Sequence, residues 1–416
     1  MKPGYKQTEV GVIPEEWEVC PVRDKGEVIT GKALAAGAPG IQRPYLRTKN
    51  VFDGRIDIND VLTMPMTDDQ FAQFRIENGD VLLNEGQSLE LVGRCAIYQD
   101  EYREPCAIQN ALLRFRARAG VSGKFASYLF RHCQQTGVFA RIALQTTSVA
   151  QLGGSRFDRL RLAWPTFPEQ RAIATALSDV DALLGALDRL IAKKRDLKQA
   201  AMQQLLTGQT RLPGFEGEWE VKRLGEIADV RAGPFGSSLH ESDYVSVGTP
   251  IITVEHLGEF GVEYINLPLV SDADRQRLRA YTLELGDIVF SRVGSVDRNA
   301  LIQAAEVGWL FSGRLLRVRP NRLTVNSPFL SCYFHGEDFI AAVRNVAVGQ
   351  TMACLNTQIL KGISVTLPPV VEQNAIAEVF SDVDTELVAL EQRREKTRAI
   401  KQGMMQELLT GRTRLI

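Results

Sequence analysis

At 416 residues, 44% apolar and 24% charged, the chain has the length for two or three domains and the make-up of an ordinary globular protein. A net charge of −1 excludes a uniformly basic nucleic-acid coat, and no apolar run reaches the roughly 18 residues of a membrane helix. Six cysteines without a CxxC pair and four scattered histidines argue against a zinc site or a disulfide framework and fit a reducing cytoplasm.

The first segment, 1–168, reads as a mixed globule. Residues 14–19 (PEEWEV), 26–28 (GEV) and 79–82 (GDVL) punctuate short apolar runs such as Val81–Leu83 and Ala111–Phe115, which predict strands between turns. Segment 169–212 then changes period. Ile173, Leu177, Val180, Leu184, Leu187 and Ile191 step by four and three, and apolar residues return at Leu197, Ala201 and Leu205. That spacing is the seam of a coiled coil. Pro165 and Pro168 precede the run and Gly208 closes it, as helix ends are punctuated.

Segment 213–368 repeats the first globule faintly, with 217–221 (GEWEV), 225–227 (GEI) and 286–289 (GDIV); its apolar runs Ile251–Val254, Ile288–Phe290 and Leu315–Val318 again predict strands. Segment 369–416 repeats the helix strongly. Of the 44 positions in 169–212, 25 recur at a constant offset of 203. Its seam is Ile376, Phe380, Val383, Leu387 and Leu390, broken at Arg394 and resumed at Ile400, Met404 and Leu408, between Pro368–Pro369 and Gly411. An internal repeat of this kind fixes architecture before any local assignment.

The order globule, helix, globule, helix constrains the geometry. A helix of about 39 residues spans on the order of 58 Å. If the second helix pairs with the first, it must start at the second globule and run back, so the pair is antiparallel. The expected fold is α+β: two similar mixed domains separated by two long antiparallel helices in a coiled coil, pseudo-two-fold symmetric. The helices stayed alike while the globules drifted, as expected if the helices share a partner and the globules meet different targets.

Catalytic motifs are missing. The sequence has no GxxxxGK[ST] loop, no HExxH, no GxSxG, no strand-borne GxGxxG and no Asn/Asp-Pro-Pro-aromatic tetrapeptide. Lys+Arg minus Asp+Glu is 21−19, 7−5, 14−18 and 7−8 over the four segments, but Arg outnumbers Lys 36 to 13. Arginine forks onto guanine edges and phosphates in a way lysine cannot. Weak overall charge ties affinity to a partner.

These residues resemble the DNA-specificity subunit of type I restriction-modification systems. The helical repeats look like that family's conserved regions, with the lead-in 367–373 (LPPVVEQ) and its looser form 164–170 (WPTFPEQ). Residues 11–18 (GVIPEEWE), 44–51 (PYLRTKNV) and 79–86 (GDVLLNEG) are similar to first-domain signatures, and 233–239 (GPFGSSL) and 286–292 (GDIVFSR) to second-domain ones. The resemblance implies a non-catalytic reader of a bipartite, asymmetric duplex target. Two methyltransferase subunits using S-adenosylmethionine and two ATP- and magnesium-dependent restriction-translocase subunits are its implied partners, with no membrane and no cofactor in this chain. Half-sites one duplex turn apart lie about 34 Å from each other.

The loops after the Gly-Asp strands are the candidate base readers: Gln87, Ser88 and Arg94 in the first globule, Arg292, Ser295 and Arg298 in the second. Arginine suits guanine O6/N7 and glutamine suits adenine N6/N7; the alternative is that Arg94 and Arg298 hold their loops. Arg47 and Lys49 are candidates for phosphate, and Ser237 and Ser238 for hydroxyl or backbone contacts. Trp17 and Trp219 read as core anchors. The exposed helix residues Arg189, Lys193, Lys194 and Arg195 are candidates for docking methyltransferases. The rival readings are an enzyme in its own right and a coiled-coil scaffold of another phage-defence complex without base readout.

Overall fold

A computed structural model describes residues 3–35, 37–145, 149–234, 239–258, 261–347 and 354–415. The chain forms two compact units, residues 1–187 with 393–416 and residues 188–392. They cut across the four sequence segments, because each long helix is shared between both. The first helix is Phe167–Leu205 and the second Val370–Leu408, 39 residues each. Both stop at a left-handed glycine, Gly208 and Gly411, each with φ of 71°. The Thr210 N–H reaches back to Gln204 O and the Thr413 N–H to Glu407 O, both at 3.2 Å, satisfying carbonyls that the last turn leaves open.

The two units repeat one topology. In the first, an antiparallel sheet runs Cys95–Ile97, Val81–Asn84, Leu112–Ala117, Gly26–Thr30. A second sheet joins Ala107–Ile108 parallel to Ile41–Leu46, which pairs antiparallel with Leu62–Met66. In the second unit the same orders recur as Asn299–Leu301, Ile288–Ser291, Leu315–Pro320, Ala228–Ala232, and as Leu310–Phe311 parallel to Thr249–Ile252. One helix packs on each main sheet, Gly123–Gln135 and Ser327–Phe334, capped by the side chains of Ser122 and Asn326. Edge-to-face rings fill the space beneath, Phe115 on Phe130 at 5.0 Å and Phe290 on Phe334 at 4.9 Å.

The long helices complete both cores. In the first unit Ile173, Ala174 and Leu177, from the start of the first helix, lie buried with Met405, Leu408 and Leu409, from the end of the second. In the second unit Leu205 and Leu206 meet Ile376, Ala377 and Phe380. Starts pair with ends, so the helices run antiparallel within each unit.

The seam follows the heptad reading at Ile173, Leu177, Leu187, Leu205, Ile376, Phe380, Leu387 and Leu408, all buried, and at the half-buried Val180, Leu184, Val383 and Leu390. It departs at Leu197 and Ile400, which are 54% and 50% exposed. Successive helix residues point about 100° apart, so only one of two neighbours can face inward. Here the next residue does: Lys198 Nζ lies 2.5 Å from Asp384 Oδ1, and Lys401 Nζ 2.6 Å from Asp181 Oδ1. The seam is apolar at its ends and ionic at these two levels.

Both helix starts are tied to their globules in the same way. Buried Glu169 accepts Arg414 Nε at 2.5 Å and Trp17 Nε1 at 2.9 Å. Buried Glu372 accepts Arg211 Nε at 2.5 Å and Nη2 at 2.6 Å. Gln170 accepts the Ser122 N–H, and Gln373 the Asn326 N–H, each at 2.9 Å, which binds the cap of each packed helix to the lead-in. Trp17 is fully buried, whereas Trp219 is only half-buried with Arg211 Cζ 5.8 Å from its ring.

Candidate nucleic-acid interface

Two equivalent turns carry the first candidates. Strand Ile41–Leu46 runs into the turn Thr48–Asn50. Asn50 is buried; its side-chain oxygen accepts the Arg47 N–H at 2.9 Å, and its amide donates to Asp57 O at 2.8 Å and Asp60 O at 3.1 Å. Arg47 Nη2 and Lys49 Nζ converge on Asp60 Oδ2 at 2.6 and 2.8 Å. These cations, the Lys49 hydrogen bond foremost, hold the Asp60 carboxyl below its usual range. A phosphate reaching this turn competes with Asp60, and Lys49, 66% exposed, is the more accessible cation.

In the second unit the turn is Val254–His256. His256 is buried; its Nδ1 accepts the Thr253 N–H at 2.9 Å, which leaves Nε2 to donate to Ile265 O at 3.0 Å. Buried Asn50 and buried His256 thus do one job, and Thr253 and Glu255 stand where Arg47 and Lys49 do. The positive charge of this turn belongs to the first unit alone.

The Gly-Asp strands lead to the second group. Gln87 is half-buried in the short strand Gly86–Gln87, opposite Ala150. Ser88 is exposed, and its carbonyl accepts the N–H groups of Leu91 and Val92 at 3.0 Å. Arg94 Nε donates to Val51 O at 3.1 Å, and its Cζ lies 4.9 Å from the Phe52 ring centre. Arg298 Nη2 donates to Leu257 O, the equivalent carbonyl. Both arginines therefore hold the residue that follows the turn. Ser295 is exposed beside Arg298, whose N–H it accepts at 3.2 Å. Arg292 lines a shallow cavity with Val293, Gly313, Cys354 and Asn356. The structure thus gathers Arg94 with the Arg47–Lys49 turn, and Arg298 with the Thr253–Glu255 turn. Ser237 and Ser238 lie outside the described residues.

Sequence reasoning missed what the Gly-Asp motif is for. Buried Asp80 accepts the Glu77 N–H at 2.7 Å and both Arg116 Nε (2.8 Å) and Nη2 (2.7 Å). Buried Asp287 accepts the Glu284 N–H at 2.8 Å, with Arg319 Nε at 2.7 Å and Nη2 at 2.8 Å. The bidentate fork turns a tight turn into a rigid launch point for the loop. The signal lay in the sequence as an arginine at matching places in two repeated strands, Leu112–Ala117 and Leu315–Pro320. Lys194 and Arg195 are also engaged, with Glu386 and Glu391 of the second helix, each at 2.7 Å.

Among the described residues no helix is long and apolar enough to cross a membrane. Residues 216–401 match the family model described as the type I restriction modification DNA specificity domain. The MjaX specificity-subunit sequence of Methanocaldococcus jannaschii is 25% identical, aligning 99% of this chain and 97% of its own length. The type I restriction enzyme MjaVIII specificity subunit of the same organism is 21% identical over 97% of this chain and 94% of its own. The crystal structure of a type I restriction-modification S subunit from M. genitalium shares the fold at a TM-score of 0.57 and 17% identity, over 98% of this chain and 99% of that one. Part of the chain thus matches the type I DNA specificity domain, and nearly all of it is similar in sequence and in fold to type I specificity subunits.

Proposed function

We propose that this chain is the DNA-specificity subunit of a type I restriction-modification system and reads a bipartite, asymmetric duplex target, one half per unit. It does no chemistry itself and assembles with two methyltransferase subunits that use S-adenosylmethionine and with two ATP-driven restriction subunits. The observation that carries this reading is the contrast between frame and surface. The buried ion pairs of the frame repeat: Asp80 with Asp287, Glu169 with Glu372, Arg414 with Arg211. The outer residues of the equivalent turns do not: Arg47 and Lys49 of the first correspond to Thr253 and Glu255 of the second. Phosphate contacts position a reader and base-edge contacts specify, so two alike frames with unlike outer residues suit two unlike half-sites.

The test is base-resolution mapping of N6-methyladenine in cells carrying this subunit with its methyltransferase. One split motif with a fixed gap is the expected result. Methylation without a motif, or a single uninterrupted motif, overturns the reading.

A further inference from the structure

One backbone position reverses its charge between the units. Glu85 follows the strand Val81–Asn84, and Arg292 follows Ile288–Ser291. The Glu85 N–H donates to Ala111 O at 2.8 Å and the Arg292 N–H to Arg314 O at 2.9 Å. Glu85 O accepts the Leu152 N–H and Arg292 O the Leu355 N–H, both at 2.8 Å. The two side chains therefore leave the same three-way junction of strand, crossing loop and returning segment. Each is partly exposed, beside the loop that holds Gln87 in one unit and Ser295 in the other.

Neither charge is used by the frame. The buried carboxylates Asp80, Asp287, Glu169 and Glu372 are each forked by an arginine. Glu85, by contrast, forms no ion pair among the described residues. It accepts a hydrogen bond from the Gly154 backbone, and burial pushes its carboxyl above the usual range against the weaker pull of Arg156. Arg156 is itself committed, donating Nε to Leu152 O at 2.9 Å and Nη2 to Gln151 O at 2.7 Å. Where Arg156 stands in the first unit, Ile359 stands in the second, beside Arg292. The Arg292 guanidinium likewise has no hydrogen-bond or ion-pair partner among the described residues. A part-buried charge that the fold leaves unpaired is a candidate for ligand recognition.

We propose that Glu85 and Arg292 are matched specificity determinants of opposite sign, Glu85 accepting the exocyclic amine of a cytosine and Arg292 donating to the O6/N7 edge of a guanine. The proposal rests on the reading of each unit as a half-site reader. Phosphate repels a carboxylate, so an acid facing duplex DNA must meet a hydrogen-bond donor, and the major-groove edge of cytosine offers its N4 amine. Guanine offers two acceptors there, which suit a guanidinium fork. Two otherwise alike frames then demand different bases at the same relative place.

The experiment maps N6-methyladenine with the full chain assembled with its methyltransferase, comparing wild type with Glu85→Gln and Arg292→Gln. The Glu85→Gln motif is expected to change at one position of one half, away from cytosine and towards adenine. Arg292→Gln is expected to change one position of the other half, away from guanine. An unchanged motif in either variant overturns the assignment for that residue; a wild type without a split motif overturns the underlying function instead. Should a variant give no methylation, the purified complex is bound to duplexes randomised in that half-site. Retained binding with lost preference at one position supports the assignment, and equal weakening on every sequence overturns it.

Discussion

At the end of one turn a buried asparagine satisfies three backbone groups; at the end of the equivalent turn a buried histidine satisfies two with its ring nitrogens. Outside that turn the first unit has two cations on one carboxylate, and the second has a threonine and a glutamate. The two units differ least where an ion is buried and most where a side chain meets water. Removing one partner from a buried ion pair costs several kcal/mol, while surface changes cost little. Divergence is therefore channelled to the exterior, where it changes the exposed surface without unfolding the chain.

The largest effect that probes this comparison is at the tryptophans. Trp17→Ala should destabilise the first unit by about 3–5 kcal/mol, because Trp17 is fully buried and donates to Glu169. Trp219→Ala should cost the second unit less, since that ring is half-exposed and its buried Nε1 has no acceptor among the described residues. Urea unfolding, with protease cleavage mapped to each unit, reads both; equal losses would break the asymmetry.

Next come the Gly-Asp turns. Asp80→Asn and Asp287→Asn each strand a forked arginine and should cost about 3 kcal/mol in their own unit. The matched geometry calls for matched losses, measured by hydrogen exchange of the strands Leu112–Ala117 and Leu315–Pro320. A loss in one unit only would show that the shared frame is shared in appearance alone. Leu187→Ala and Leu387→Ala, both in the buried seam, should each cost roughly 2–3 kcal/mol in thermal unfolding.

Acid sharpens the comparison further. Burial holds the imidazoles of His132, in the first unit, and His335, in the second, below their ordinary value. A depressed folded-state pKa means that the folded chain binds fewer protons than the unfolded one. The stability is thus present above the ordinary histidine pKa of about 6.5 and is lost as the pH falls below it. His132→Gln should flatten the profile of the first unit only, and His335→Gln that of the second only, in pH-dependent proteolysis. Smallest of all, Leu197→Ala and Ile400→Ala should move stability by no more than about 0.5 kcal/mol, because both side chains face solvent.

The long helices could be read from the sequence because a three-and-four spacing of apolar residues has few other physical solutions. Leu197 and Ile400 were misplaced for a specific reason. Apolar periodicity takes every hydrophobic residue as inward, and it has no term for a lysine whose stem packs while its ammonium finds Asp181 or Asp384. The repeated Gly-Asp pairs pointed to equivalent strands, but the fork to Arg116 and Arg319 needs a partner about thirty residues away, which no local pattern encodes. Arg94 and Arg298 follow the Gly-Asp strands in sequence, but that their guanidiniums grip Val51 and Leu257 depends on a tertiary approach. The charge reversal at Glu85 and Arg292 was latent in the repeated Gly-Asp segments, and the shared backbone hydrogen bonds are what show the two positions to be equivalent in space.

The Arg414–Glu169 clamp has a consequence for synthesis. Its carboxylate is made 245 residues before its guanidinium, while Glu372 follows Arg211 by 161 within a continuous stretch of chain. A ribosome that has translated residue 392 has supplied all of the second unit, but the first still waits for residues 393–416. The half begun earlier is then finished last, reversing the usual vectorial order. Protease resistance of arrested nascent chains should accordingly appear in residues 188–392 before residues 1–187, and the opposite sequence would show that the first unit closes without its clamp.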